Sequence, residues 1–159
     1  MLEELLEGHR VELITSCQAS AAAREGVSRT RAISDQGVAV FLEQLIRALR
    51  EASAAAPRWN VALAASEAPG DMNLEMGVSA AKRGAVLFGQ GSTLDQVVHE
   101  YGDLCQAITQ LAMDWNATIS IGEFRILNRC LDNGIADAVT EFAHQQSLAG
   151  GHRSNSVEG

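Results

Sequence analysis

Apolar residues recur along this chain at helical spacing. Near the N-terminus Leu2, Leu5, Leu6, His9, Leu13, Cys17 and Ser20 share one face while Glu3, Glu7 and Arg10 fall outside it, which predicts a helix over 2–23. A polar stretch over 24–33 contains Gly26, and Ser34 and Asp35 then offer N-cap groups to a second helix with Val38, Phe41, Leu42, Leu45, Ile46 and Leu49 inside. Between Glu51 and Gly70 an Ala-rich stretch, broken by Pro57 and closed by Pro69, reads as a loop with one short helical turn, pinned to the core by Trp59, Val61 and Leu63. A third helix places Leu74, Val78, Ala81, Ala85 and Phe88 on one face and stops at Gly89 to Gly91.

The C-terminal half carries the strongest pattern. Ser92, Thr93 and Asp95 open a fourth helix in capping style, and its stripe runs through Leu94, Val97, Val98, Tyr101, Leu104, Cys105, Ile108, Leu111, Ala112 and Trp115. Ser120 and Glu123 form a capping box before a last helix through Phe124, Leu127, Leu131, Ile135, Ala138 and Phe142. Gly102 and Gly134 sit in mid-helix, where glycine costs about 1 kcal/mol relative to alanine; the pair marks a tight crossing. Gly150 and Gly151 begin a polar tail, so the reading is one helical domain over 1–149 and a flexible tail or linker over 150–159. No strand pattern and no repeat appears. The fold class is therefore all-α, a helical bundle of about five helices.

Composition narrows the function. A 159-residue chain suits one domain, and with 4% aromatic residues its interior falls to Leu, Ala, Val and Ile. The net charge of −8 argues against binding nucleic acid or an anionic membrane surface. Cys17, Cys105 and Cys130 form an odd set without a CxxC pair, each in an apolar helical stretch, so reduced buried thiols are expected. Glu3, Glu4 and Glu7 interrupt the first apolar residues, and no run has the length of a membrane span, which points to the cytoplasm.

Two segments carry a family resemblance. Val97-Val98-His99-Glu100-Tyr101-Gly102-Asp103-Leu104-Cys105-Gln106-Ala107-Ile108, followed by Ile121-Gly122-Glu123-Phe124-Arg125-Ile126-Leu127-Asn128-Arg129-Cys130-Leu131-Asp132, resembles the helical N-terminal domain of RsbT co-antagonist (RsbRD-type) proteins, which also precedes histidine-kinase cores. The likeness is clearest from Gly84 to His144. It implies a non-enzymatic signal-transduction input domain, a homodimer that contacts a signalling protein such as a kinase module. It also admits a globin-like arrangement without haem as the variant of the bundle.

The candidate site is the polar flank of the fourth helix, His99, Tyr101, Asp103 and Gln106, where Asp103 at i+4 is placed to accept from the His99 imidazole. The bland reading is a boundary histidine paired within its own helix. His99-Glu100 lacks the residues that follow the phosphorylated histidine of a kinase, and Asp103 stands where an HExxH zinc motif needs its second His, so no metal site is expected. His9 or His99 could ligate haem, the cofactor alternative, although the chain has only four Phe and two Trp to wall such a pocket. Cys105 and Cys130 are redox candidates that would need exposure and a lowered pKa. A nucleotide-binding glycine loop and a nucleophile elbow are both missing from the sequence, so no enzymatic activity is expected. A pure dimerisation scaffold for a histidine kinase is the third reading.

Overall fold

A computed structural model describes residues 1–25, 35–55 and 70–157. Its described residues form six helices and no strand: α1 (Leu2–Gly8), α2 (Arg10–Glu25), α3 (Asp35–Ala55), α4 (Gly70–Gly89), α5 (Leu94–Asp114) and α6 (Ile121–Val157). The chain is an all-α bundle, as the periodicity requires. Ser34, Pro57, Trp59, Val61, Leu63 and Pro69 lie outside the described residues.

Cross-helix pairs give the directions. Gln44 on α3 donates to Ser79 on α4 at 2.9 Å, and Arg47 pairs with Glu75, so residue numbers rise on one helix as they fall on the other. Arg24 meets Asp103 while His9, earlier in the chain, meets Trp115, later in it, so α2 is antiparallel to α5; Arg83 meets Glu100 across the short connection 90–93, which folds α4 back antiparallel to α5. Gly84 on α4 lies against Ala138 of α6, and four residues on Phe88 packs edge-to-face on Phe142 at 5.4 Å, so these two helices run parallel. Leu6, Leu13, Leu42, Leu45, Leu104, Ile108, Leu127 and Phe142 form a common interior drawn from five helices.

Helix ends follow from local chemistry. Thr93 caps α5 with a reciprocal box: its hydroxyl accepts from the Gln96 amide at 3.2 Å, and its own amide donates to the Gln96 side chain at 2.7 Å. The Ser120–Glu123 box forms as the sequence predicts, with bonds of 2.9 and 3.1 Å. Glu123 does more, because its other oxygen accepts from the Leu2 amide at 2.9 Å and so ties the start of α1 to the start of α6. Burial works against the charge of this carboxylate, but the Leu2 and Ser120 amides outweigh it and hold the pKa below the usual range. Both α4 and α5 end in a Schellman turn. In the first, Gly91 takes φ 77° while Ser92 donates to the Leu87 carbonyl; in the second, Asn116 takes φ 50° while Ala117 donates to the Ala112 carbonyl.

Four sequence expectations are corrected. The N-terminal helix is two helices, because at His9 the backbone turns to φ −127°, ψ 27° and the His9 amide bonds to Leu6; Ser20, placed on the inner face by spacing, is exposed. The last helix runs on through Gly150 and Gly151 to Val157, where a tail was expected from residue 150. On α4 the Leu74 side chain lies outside the described ones and Phe88 packs against the core as the spacing predicts, but among the described positions the buried ones are Met76, Ala80, Gly84 and Leu87, and Val78 is 50% exposed. The cause is a close approach: a Cβ built on Gly84 would lie 2.1 Å from the Ala138 carbonyl oxygen of α6, so only the small-residue side of α4 can face that helix. Gly102 and Gly134, finally, do not mark one crossing. Gly134 abuts the Tyr101 and Phe41 rings, whereas nothing stands within 4 Å of a Cβ at Gly102.

These two surroundings predict opposite outcomes. Gly84→Ala should destabilise the chain by about 2–3 kcal/mol through overpacking against backbone. Gly102→Ala should stabilise it, by up to about 1 kcal/mol, through helix propensity alone. Urea unfolding monitored by circular dichroism measures both.

Candidate functional site

Helix α5 presents different faces to different neighbours, and its four predicted site residues do not converge. Tyr101 is 7% exposed and points inward, its ring edge-to-face with Phe41 at 5.6 Å and against the bare backbone of Gly134. Burial, and then the nearby Glu100 carboxylate, raise its phenol pKa beyond reach of physiological pH. His99 is exposed, and its Nδ1 lies 2.8 Å from the Asp95 carbonyl and 3.3 Å from the Asp95 carboxylate. It therefore pairs one turn back within its own helix, not with Asp103 as the spacing predicted. Asp103 instead receives the Arg24 guanidinium of α2 on both oxygens. Gln106 faces a groove between α2 and α5.

Two inter-helix ion pairs occupy this flank, and the sequence reading missed both. Arg83 reaches Glu100 with its Nε 3.1 Å from each carboxylate oxygen and with a further bond from Nη2. The guanidinium lies in a slot left by Gly37 on α3, where a Cβ would come within 2.5 Å of Nε. Glu100 and Asp103 stand three residues apart, on one side of α5, and each is held by an arginine from a different helix. The signal that could have found them is the Glu100–Asp103 spacing opposite arginines in an otherwise acidic chain.

The remaining candidates have unremarkable surroundings. His9 Nδ1 is 2.8 Å from the Leu5 carbonyl, and its ring packs against Trp115 at 4.7 Å, tilted by 57°. Among the described residues no group of three or more His, Cys, Asp or Glu side chains is arranged to hold a metal ion. Burial pushes the Cys130 thiol up to about 11, against the pull of Arg129, and raises Cys105 as well. Cys17 is pushed up to about 12 by burial and by the negative charges of Asp103 and Glu100. The two redox candidates thus lack the lowered pKa that a reactive thiolate needs.

Two measurements follow. Arg83 and Glu100 are 12% and 19% exposed, against 44% and 51% for Arg47 and Glu75. Glu100→Gln should therefore cost roughly 2 kcal/mol, by leaving a largely enclosed guanidinium with a weaker acceptor, and Glu75→Gln less than about 0.5 kcal/mol; chemical denaturation of each variant checks the contrast. With iodoacetamide at pH 8, Cys17 and Cys130 should stay unlabelled in the native protein and react in urea. The same shifts make alkali destabilising, because the thiols of the unfolded chain ionise first as pH rises past their ordinary value of 9.0.

Neither a protein-family model, nor a curated protein, nor a solved structure matches this chain.

Proposed function

We propose that this chain is a cytoplasmic, non-enzymatic input domain of bacterial signal transduction, acting through helix packing, dimerisation and contact with a signalling partner such as a kinase module. The observation that carries the reading is the reach of α6. This helix is 37 residues long, yet among its described side chains the last buried one is Phe142. From Ala143 to Gly151 its side chains are exposed or, at Gln145, half-buried. A helix that outruns its bundle is a lever: a shift in packing at Leu127, Leu131, Ala138 or Phe142 moves the far end as a rigid rod. The resemblance of segments 97–108 and 121–132 to RsbRD-type domains supports the same role.

Under this reading α5 is the receiving element and α6 the transmitting one. Tyr101 of α5 packs directly on Gly134 of α6, so a change in how α2 or α4 holds Glu100 and Asp103 reaches α6 through one ring. Two packings that differ by a few kcal/mol would suffice to switch an output.

Helical phase tests the proposal. With a histidine-kinase core fused in continuous helical register after Gly151, inserting two residues beyond Phe142 rotates the output by about 200° and should change autokinase activity. Inserting seven, which returns the phase to within about 20°, should leave it near the parent level. Equal activity in both insertions would overturn the lever.

A further inference from the structure

Helices α2 and α5 are joined by side-chain contacts near both of their ends. At one end Arg24 clasps Asp103, and at the other the His9 ring packs at a tilt against Trp115. Between these ties a groove of about 280 Å³ remains open. Its floor is apolar, formed by Leu13 of α2 with Ala107 and Leu111 of α5. Ser16, Ser20 and Gln106 line the half nearer Arg24; Glu12, Gln110 and Asp114 line the half nearer Trp115.

The charges in this groove are unbalanced. None of its lining side chains is cationic. Glu100 and Asp103, which face other helices from α5, are each met by an arginine, whereas among the described residues Asp114 accepts only from the Gln110 amide at 2.8 Å. Glu12 has no side-chain partner among the described residues. Two carboxylates at one end of an apolar-floored slot, with hydroxyl and amide groups at the other, complement an elongated molecule with a cationic head, a hydrocarbon body and a second polar end. A bare metal ion would leave the floor and the far end unused. The volume falls just below the usual range for drug-sized ligand pockets, about 300–1,000 Å³, which suits a smaller occupant.

We propose that the α2–α5 groove binds a small linear organic cation of the diamine or polyamine class, with its ammonium group against Glu12 and Asp114 and its methylene chain along Leu13, Ala107 and Leu111. Such an occupant bridges α2 to α5 between the existing ties. It deepens the input-domain reading, on which its signalling consequence rests, by naming the class of signal.

Titration of the full chain with spermidine, followed by amide NMR and calorimetry at fixed ionic strength, tests the site. The expected result is saturable one-site binding, shifts confined to the α2 and α5 residues that line the groove, and at least a ten-fold loss of affinity in the Glu12→Gln/Asp114→Asn double variant. Ala107→Phe, which fills the floor, should abolish binding; if that variant does not fold, the near-isosteric double variant decides alone. Shifts spread over the acidic surface and reproduced by potassium chloride, or an unchanged affinity in the double variant, would show counterion association only and overturn the proposal. Saturable binding without any effect on the phase-dependent kinase output would keep the site and remove its signalling role.

Discussion

The packing of this protein turns on the contact of α4 with α6 at Gly84. A glycine there lets the Ala138 carbonyl approach to a distance that no side chain would tolerate. Once the two backbones are that close, the rotation of α4 about its axis is fixed. Met76, Ala80 and Leu87 must then face inward, and Val78 and Val86 are left partly exposed although they are more apolar than Ala80. Shape overrides hydrophobicity here, because the apolar area saved by burying a valine is worth only about 1.5–3 kcal/mol, while separating two long helices to admit a Cβ would loosen every contact along them.

The placement of Arg83 follows from the same helix. With Gly84 turned toward α6, the neighbouring arginine projects toward α3 and α5, where Gly37 leaves room for the guanidinium and Glu100 accepts from it. Glycine thus serves twice at one level of the bundle, once for a helix crossing and once for a charged group. A pair so enclosed is costly to desolvate, and its worth lies in geometry: the fork of an arginine fits one carboxylate orientation, and so sets how α4 and α5 sit against each other. Arg24 and Asp103 repeat the device between α2 and α5.

In the proposed function α5 is the receiving helix. One side of the helix is core, with Val97, Tyr101, Leu104, Ile108 and Leu111 buried; a second is clamped by arginines; a third borders the groove. A helix held on several sides by contacts of different strength is suited to transmit, since loosening one contact leaves the others to guide the motion. The capping boxes at Thr93 and Ser120 keep the starts of α5 and α6 firm while this happens.

Periodicity and capping chemistry determined the helices themselves. The Ser120–Glu123 box, the glycine stop after α4 and the centres of the α3, α5 and α6 stripes depend on interactions within a few residues, so the chain alone specifies them; Leu94, Val98, Trp115 and Phe124, counted into the α5 and α6 stripes by spacing, are instead 41–60% exposed, because no described helix covers that edge of the stripe. Leu104, Ile108, Leu127 and Phe142 were legible as core for the same reason: a long apolar stripe has to be buried somewhere. The partners of each face were decided by the fold. His99 and Asp103 are four residues apart, as a helical pair should be, yet Asp103 turns to an arginine 79 positions away. Gly102 and Gly134 look equivalent in the sequence, and only one of them meets a ring. Sequence spacing fixes which residues share a surface; the crossing of helices, set by backbone approach at Gly84 and by the shape of charged groups, selects what that surface touches.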